Sequence, residues 1–168
     1  METFVYPTVN HASKYADITK IFTLGPYALA LAICVAHAAK SRKDIDISRF
    51  ASGIELYRGT GLTEPQIQKY RDLIVANKTM AIHGYLSTSL LRDLAESFAY
   101  NDPATHKKAV LYKINWKSAY YYFYMDMGSF KHEQEVLLFD GLEFEVVSVE
   151  APDADDQDGT TLITLKYP

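Results

Sequence analysis

The sequence of 168 residues predicts a single domain of the α+β class. Residues 1–50 are rich in alanine and lack strict alternation, which favours helices. From residue 54 onward, short strand-like segments dominate. Helices first and strands later are typical of an α+β fold with an antiparallel or mixed sheet. We therefore expect one domain over 1–168, mainly helical over 1–50 and rich in strands over 51–168.

The composition indicates an ordinary globular protein and argues against a nucleic-acid partner. Apolar residues make up 48% of the chain and charged residues 23%. The net charge is -4, and the positive charges are scattered apart from short clusters. A field of this sign does not attract a phosphate backbone, so nucleic-acid binding is not expected.

The chain carries one cysteine, Cys34, in the apolar run "LALAICVAHAA". One cysteine forms neither an intrachain disulfide nor a cysteine metal cluster, and this usage is typical of a reducing compartment. The five histidines show no metal-ligand spacing with one another or with Cys34. No metal site is predicted.

The apolar segment 24–39 is too short to cross a membrane. It contains Pro26 and His37 and falls short of the roughly 20 residues that a spanning helix needs. A buried helix is the expectation, with no membrane partner. The N-terminal residues lack the pattern of a signal peptide, so we expect a protein that is cytoplasmic, or secreted without a recognisable signal peptide.

The part of the chain after residue 50 begins with a strand and a helix. Residues 54–59, "IELYRG", read as a strand, and residues 63–77, "TEPQIQKYRDLIVAN", as a helix. Thr63 and Gln66 have the spacing of a capping box at its start. Apolar side chains then recur at helical spacing at Ile67, Tyr70 and Ile74.

A second strand and helix follow. Residues 80–89, "MAIHGYLSTS", read as one strand that ends in hydroxyls, and Ser89 is placed to cap the next helix. That helix has one apolar face, made of Leu91, Leu94, Ala95, Phe98 and Ala99. Further strands are predicted in "AVLYKINWK", in "EQEVLLF" running into "LEFEVVSVE", and in "TTLITLKY".

Two carboxylates stand at the start of one predicted strand. Alternation would place Glu133 and Glu135 on the same face, with Cα atoms roughly 6 to 7 Å apart. An isolated Glu-x-Glu is most often a solvated strand end. Arg58 ends an earlier strand and could be a salt-bridge residue, and the hydroxyls at 87–89 could be a simple cap.

In this order, the three groups resemble the R-S-E clade of mono-ADP-ribosyltransferases. The similar segments are "LYRGTGL", "GYLSTSL" followed by "AESFA", and "SFKHEQEVLLFDGLEFEVVSV", and they cover about residues 56–149. The resemblance implies an ADP-ribosyltransferase fold, in which a helical N-terminal part precedes a mixed or antiparallel β-sandwich around an NAD cleft. NAD is then the co-substrate.

The resemblance also implies roles for the three groups. Glu135 would stabilise the positive charge that develops on the ribose when the bond to nicotinamide breaks. Arg58 would hold the phosphates with its forked guanidinium, and Gly59 would let the ligand approach the backbone. Ser87 would orient Glu135 and support the nicotinamide ribose.

Further NAD-binding candidates lie near these positions. Thr88 and Ser89 would shape the strand end. Phe98 or Tyr100 could stack on nicotinamide, although Phe98 also falls on the apolar helix face, and a core position is favoured for it.

Glu133 indicates which type of acceptor is used. In the family, a glutamate two residues before the catalytic one is associated with arginine, whose guanidinium has a pKa above about 12 and must be helped to lose its proton. The segment "YYYFYMDMGSFKH" would form the loop that meets the acceptor, or its tyrosines would form a plain core strand. His132 is expected to be a loop residue.

The predicted activity is transfer of ADP-ribose from NAD to arginine side chains of a protein acceptor. An NAD glycohydrolase and a catalytically silent module that binds NAD or a partner are the alternatives. Whether the enzyme is a toxin or an endogenous regulator stays open.

Overall fold

The computed structural model describes residues 47–100, 106–118, 121–125, 132–152 and 159–168. The expected helical part over 1–50 lies outside the described residues except for its last four, and so does Cys34. No helix in the described part of the chain is long and apolar enough to cross a membrane.

The described residues form three helices and eight strands. In chain order these are α1 (Ile47–Ser52), β1 (Ile54–Leu62), α2 (Glu64–Ala76), β2 (Thr79–Ile82), β3 (Leu86–Ser89), α3 (Arg92–Tyr100), β4 (Lys108–Trp116), β5 (Tyr122–Met125), β6 (Glu135–Leu138), β7 (Leu142–Glu150) and β8 (Thr161–Lys166).

All eight strands are hydrogen-bonded into one mixed sheet in the order β2-β7-β8-β4-β1-β3-β6-β5. Only β4 and β8 run parallel, and β8 lies between β7 and β4. β1 pairs with β4 along its whole length but with β3 at a single residue pair, Tyr57 with Ser89. Instead of the expected β-sandwich, the strands form one continuous sheet. Its two parts, β2-β7-β8-β4-β1 and β3-β6-β5, meet at this single residue pair, which forms the seam between them.

The core is built from the inward faces of the central strands. Trp116, Phe144, Leu56, Ile163 and Leu165 are fully buried. Burying each such side chain contributes roughly 1.5 to 3 kcal/mol. The packed core therefore stabilises the strands that carry the side chains at the seam.

Helix α2 begins as the sequence predicts. The Gln66 side chain accepts hydrogen bonds from the Thr63 main-chain nitrogen at 2.8 Å and from its hydroxyl at 3.1 Å. Proline at the first turn suits a helix start, and Asn77 ends the helix in the left-handed conformation at φ 50°. Ile67 is buried beneath it.

The prediction of one strand over 80–89 is wrong. The segment forms β2 at one edge of the sheet and β3 between β1 and β6. Gly84, at φ 90°, turns the chain between them, and its main-chain nitrogen donates a hydrogen bond to Asp140 Oδ1 at 2.7 Å.

The tyrosine-rich segment contributes β5, an edge strand that pairs with β6. Tyr122 is buried and stacks on Phe50 of α1 with ring centroids 4.2 Å apart, whereas Tyr121 is exposed. The core reading therefore holds for Tyr122. Residues 126–131, the rest of the expected acceptor loop, lie outside the described residues, and His132 is exposed.

Candidate active site

A cleft of about 240 Å³ opens beside the seam between β1 and β3. Its walls come from β1, β3, α3 and the segment that enters β6. It brings together eight of the residues expected from the sequence, namely Arg58, Gly59, Ser87, Thr88, Ser89, Phe98, Glu133 and Glu135. Tyr100, the other stacking candidate, lies elsewhere and accepts a hydrogen bond from the Thr160 hydroxyl.

Ser87 connects the arginine to the second carboxylate. Arg58 Nη1 donates to the main-chain oxygen of Ser87 at 2.7 Å. The Ser87 hydroxyl donates to Glu135 Oε1 at 2.6 Å. Hydrogen bonds to ionised groups are short and strong, so both charged side chains are held in fixed positions relative to β3.

The next two hydroxyls hold the main chain of the neighbouring segment. Thr88 Oγ1 donates to the Val136 main-chain oxygen at 2.6 Å. Ser89 Oγ donates to the Glu133 main-chain oxygen at 2.6 Å and accepts from the Leu91 nitrogen at 2.9 Å. A hydroxyl has one hydrogen to donate, so both residues shape the strand end and direct no donor into the cleft. Helix α3 begins at Arg92, three residues after Ser89, so the expectation that Ser89 caps this helix is wrong.

The two glutamates do not share a strand, so the expected alternation is wrong. β6 begins at Glu135, and Glu133 lies in a helical turn with His132. Gln134 between them adopts a left-handed conformation at φ 44°, which is uncommon outside glycine. Glu133 and Glu135 nevertheless both line the cleft.

Gly59 permits a close contact between β1 and α3. A Cβ at this position would lie 1.8 Å from the Ala95 main-chain oxygen and 2.6 Å from the Ala99 nitrogen. The contact brings α3 directly against the strand that carries Arg58. Gly59 also lines the cleft, and a close approach of ligand to its backbone stays a prediction.

The core position favoured for Phe98 is wrong. Its side chain is 51% exposed and lines the cleft. Ala95 and Ala99 are the buried residues of α3. The helix therefore packs through its small residues and leaves an aromatic ring at the cleft wall.

Sequence reasoning gave no role to Tyr57, which also lines the cleft. Its hydroxyl donates to Glu55 Oε2 at 2.6 Å, and Lys113 Nζ lies 2.6 Å from Glu55 Oε1. Burial, together with the bond to Glu55, raises the pKa of Tyr57 to about 12. The phenol therefore stays protonated at neutral pH. The alternation of β1 places Tyr57 on the same face as Gly59 and could have identified it.

A second cavity of about 570 Å³ shares Arg58 with the cleft. Lys69 and His83 also line it, and none of its lining residues that the structure describes carries a carboxylate. The hydroxyls of Tyr70 and Tyr112 meet there at 2.6 Å, and burial raises the pKa of both phenols. The cavity thus offers hydrogen-bonding groups in a surface with positive charge.

Among the residues that the structure describes, no three His, Cys, Asp or Glu side chains are grouped to hold a metal ion.

The fold is similar to solved ADP-ribosyltransferases. Vis toxin from Vibrio splendidus is 17% identical over 99% of this chain and 68% of its own, with a TM-score of 0.64. Exoenzyme S from Pseudomonas aeruginosa, in complex with human 14-3-3 protein beta and carba-NAD, is 16% identical over 98% of this chain and 68% of its own, with a TM-score of 0.57. HopU1 from Pseudomonas syringae is 20% identical over 69% of this chain and 45% of its own, with a TM-score of 0.51.

A comparison with curated protein sequences gives no significant match. The family model described as ADP-ribosyltransferase exoenzyme matches residues 38–166. That match covers most of the sequence, and it agrees with the arginine, hydroxyl and carboxylate groups that the sheet brings into one cleft. This chain therefore belongs to the ADP-ribosyltransferase exoenzyme family and has its fold.

Proposed function

We propose that this chain is a mono-ADP-ribosyltransferase of the R-S-E clade that transfers ADP-ribose from NAD to arginine side chains of a protein. The observation that carries the proposal is the chain of bonds from Arg58 through Ser87 to Glu135, with Glu133 in the same cleft. It links a phosphate-binding cation to a carboxylate suited to glycosidic cleavage.

The two cavities fit the parts of NAD. Arg58 lies where they meet, as the diphosphate in the middle of a dinucleotide requires. Phe98, exposed in the smaller cleft, offers a ring for the nicotinamide end beside Glu135. The larger cavity takes the adenosine end, where the described part of the lining has no carboxylate to repel an anionic ligand. The carba-NAD in the exoenzyme S structure also supports NAD as co-substrate.

Glu135 assists cleavage of the bond between nicotinamide and ribose in NAD. Ser87 occupies one carboxylate oxygen, Oε1, and so fixes the direction of the other. A carboxylate held in this way stabilises the positive charge that develops on the ribose, and it needs no reorganisation when the charge appears.

Glu133 acts on the acceptor. A guanidinium has a pKa above about 12, so arginine attacks only after a base has taken its proton. Glu133 is partly buried and lines the cleft, so its carboxylate is available to a guanidinium that enters beside Glu135. Arginine specificity rests on this carboxylate.

The setting of the reaction is also a proposal. One of the similar structures is a toxin. This supports the proposal that the chain is itself a toxin that modifies a protein in the cytoplasm of a target cell. We also propose that residues 1–168 form a single catalytic domain.

The test is incubation with labelled NAD and agmatine, a small guanidino compound. The parent protein should label agmatine and release nicotinamide. Glu135→Gln should reduce both by on the order of 100-fold to 1000-fold, the usual cost of one transition-state electrostatic contact. Glu133→Gln should release nicotinamide with water as acceptor and leave agmatine unlabelled.

Other outcomes would give the function to an alternative. Free ADP-ribose as the sole product of the parent would indicate an NAD glycohydrolase. Absence of any turnover would indicate a binding module. Labelling of agmatine by Glu133→Gln at the parental rate would remove the basis for arginine specificity.

A further inference from the structure

We infer that Ser89 is a positioning residue for the acceptor step, and that its hydroxyl sets the ratio of transfer to hydrolysis by holding the turn that carries Glu133. The inference rests on the proposed function. It assigns the two serines of β3 to different glutamates and so to different halves of the reaction.

The strand ladder does not fix the main chain of Glu133. Pairing of β3 with β6 ends at Ser89 and Glu135. Glu133 lies before that pair, in the helical turn, where regular strand hydrogen bonds no longer set the direction of a side chain. Its carboxylate therefore depends on local contacts of the turn.

Ser89 supplies the shortest of the described contacts to this turn. Its hydroxyl donates to the Glu133 main-chain oxygen at 2.6 Å, and the Leu91 nitrogen donates to the same hydroxyl at 2.9 Å. The side chain is 6% exposed, so water does not readily replace it. The Leu90 nitrogen adds a longer bond of 3.2 Å to the Gln134 oxygen.

The turn needs such support because of Gln134. A non-glycine residue at φ 44° is sterically disfavoured, and it keeps this backbone conformation when neighbouring hydrogen bonds hold it. Without the Ser89 hydroxyl, we expect the segment to relax toward ordinary backbone angles and to move Glu133 from the acceptor position.

Ser87 acts separately. Its hydroxyl binds the side chain of Glu135, whereas the hydroxyl of Ser89 binds the main chain of Glu133. Removal of the Ser89 hydroxyl leaves the Ser87 to Glu135 contact in place. Loss of the Ser89 hydroxyl should therefore lower transfer of ADP-ribose to the acceptor more than it lowers cleavage of NAD.

The experiment measures agmatine labelling and water-dependent nicotinamide release for Ser89→Ala. We expect kcat/KM for agmatine to fall about tenfold or more, since small displacements of a reacting group are costly. Hydrolysis should fall much less, so the ratio of transfer to hydrolysis drops. Ser89→Thr, which restores a hydroxyl, should recover the ratio. Ser89→Cys keeps the volume with a weak donor and repeats the test if the alanine variant does not fold.

Thr88→Val is the matched control, because it removes a neighbouring hydroxyl bond of the same 2.6 Å length to the main chain of β6. It should change both activities by a similar factor. In a Glu133→Gln background, where transfer is already lost, Ser89→Ala should leave hydrolysis close to that of Glu133→Gln alone.

Equal losses of transfer and hydrolysis in Ser89→Ala, or a large loss of hydrolysis when Ser89→Ala is added to Glu133→Gln, would overturn the assignment of Ser89 alone. A parent protein that never labels agmatine would overturn both this inference and the proposed function.

Discussion

Replacement of Ser87 by alanine removes one hydrogen bond at the centre of the site. The bond joins the hydroxyl to Glu135 Oε1 at 2.6 Å. A hydrogen bond to a charged group contributes roughly 1.5 to 3 kcal/mol, and about 1.4 kcal/mol corresponds to tenfold in rate. If the contact acts fully in the transition state, kcat should fall about 10-fold to 150-fold.

The same substitution should leave NAD binding largely intact. Arg58 donates to the main-chain oxygen of Ser87, which alanine also provides. The loss should therefore appear in kcat, for transfer and hydrolysis alike, with a KM for NAD close to that of the parent.

Ser148→Ala is a control with the same chemistry. The Ser148 hydroxyl donates to Glu150 Oε1 at 2.7 Å, but on β7, which contributes nothing to the cleft. Nicotinamide release is followed in the steady state over a range of NAD concentrations for both variants. Parental kcat in Ser87→Ala, or a raised KM with unchanged kcat, would refute the reasoning that Ser87 orients Glu135.

Three further substitutions test other parts of the structure. Arg58→Lys should weaken NAD binding, because an ammonium keeps the charge but not the fork, and unchanged affinity in a calorimetric titration would make Arg58 merely structural. Gly59→Ala should lower the free energy of unfolding in urea by about 1 to 3 kcal/mol or more, since its Cβ would lie 1.8 Å from the Ala95 oxygen. Lys113 holds the pKa of Glu55 below its ordinary 4.5, so this contact stabilises the fold above that pH and is lost as the pH falls through the lowered value. Glu55→Gln should therefore reduce the acid sensitivity of the urea midpoint, and an unchanged pH profile would count against the contact.

Much of the fold follows from local patterns in the sequence. The strand-like segments "AVLYKINWK" and "TTLITLKY" predicted β4 and β8, and the Thr63 and Gln66 pair predicted the start of α2. The segment 80–89 failed because its apolar residues continue through Gly84. One glycine in a strand pattern does not show whether the chain bends slightly or crosses to another part of the sheet.

The site was predicted as a set of residues, but not in its geometry. Motif order brought Arg58, Ser87 and Glu135 together correctly, because the resemblance carries information that spacing lacks. The left-handed turn at Gln134 leaves no mark in the residue type, so Glu133 was placed on a strand. Phe98 was misplaced because helical periodicity identifies an apolar face but not which of its members reach the core.

The position of β8 has a consequence for the order in which the enzyme can assemble. This strand comes from residues 161–166, yet it lies inside the sheet between β7 and β4. During synthesis, Arg58, Ser87 and Glu135 all emerge before the strand that joins β7 to β4. Contacts between distant parts of a chain form slowly, and a sheet that lacks an inner strand exposes two unpaired edges. A chain in which β8 is not yet inserted should therefore contain all three of these side chains and still be inactive.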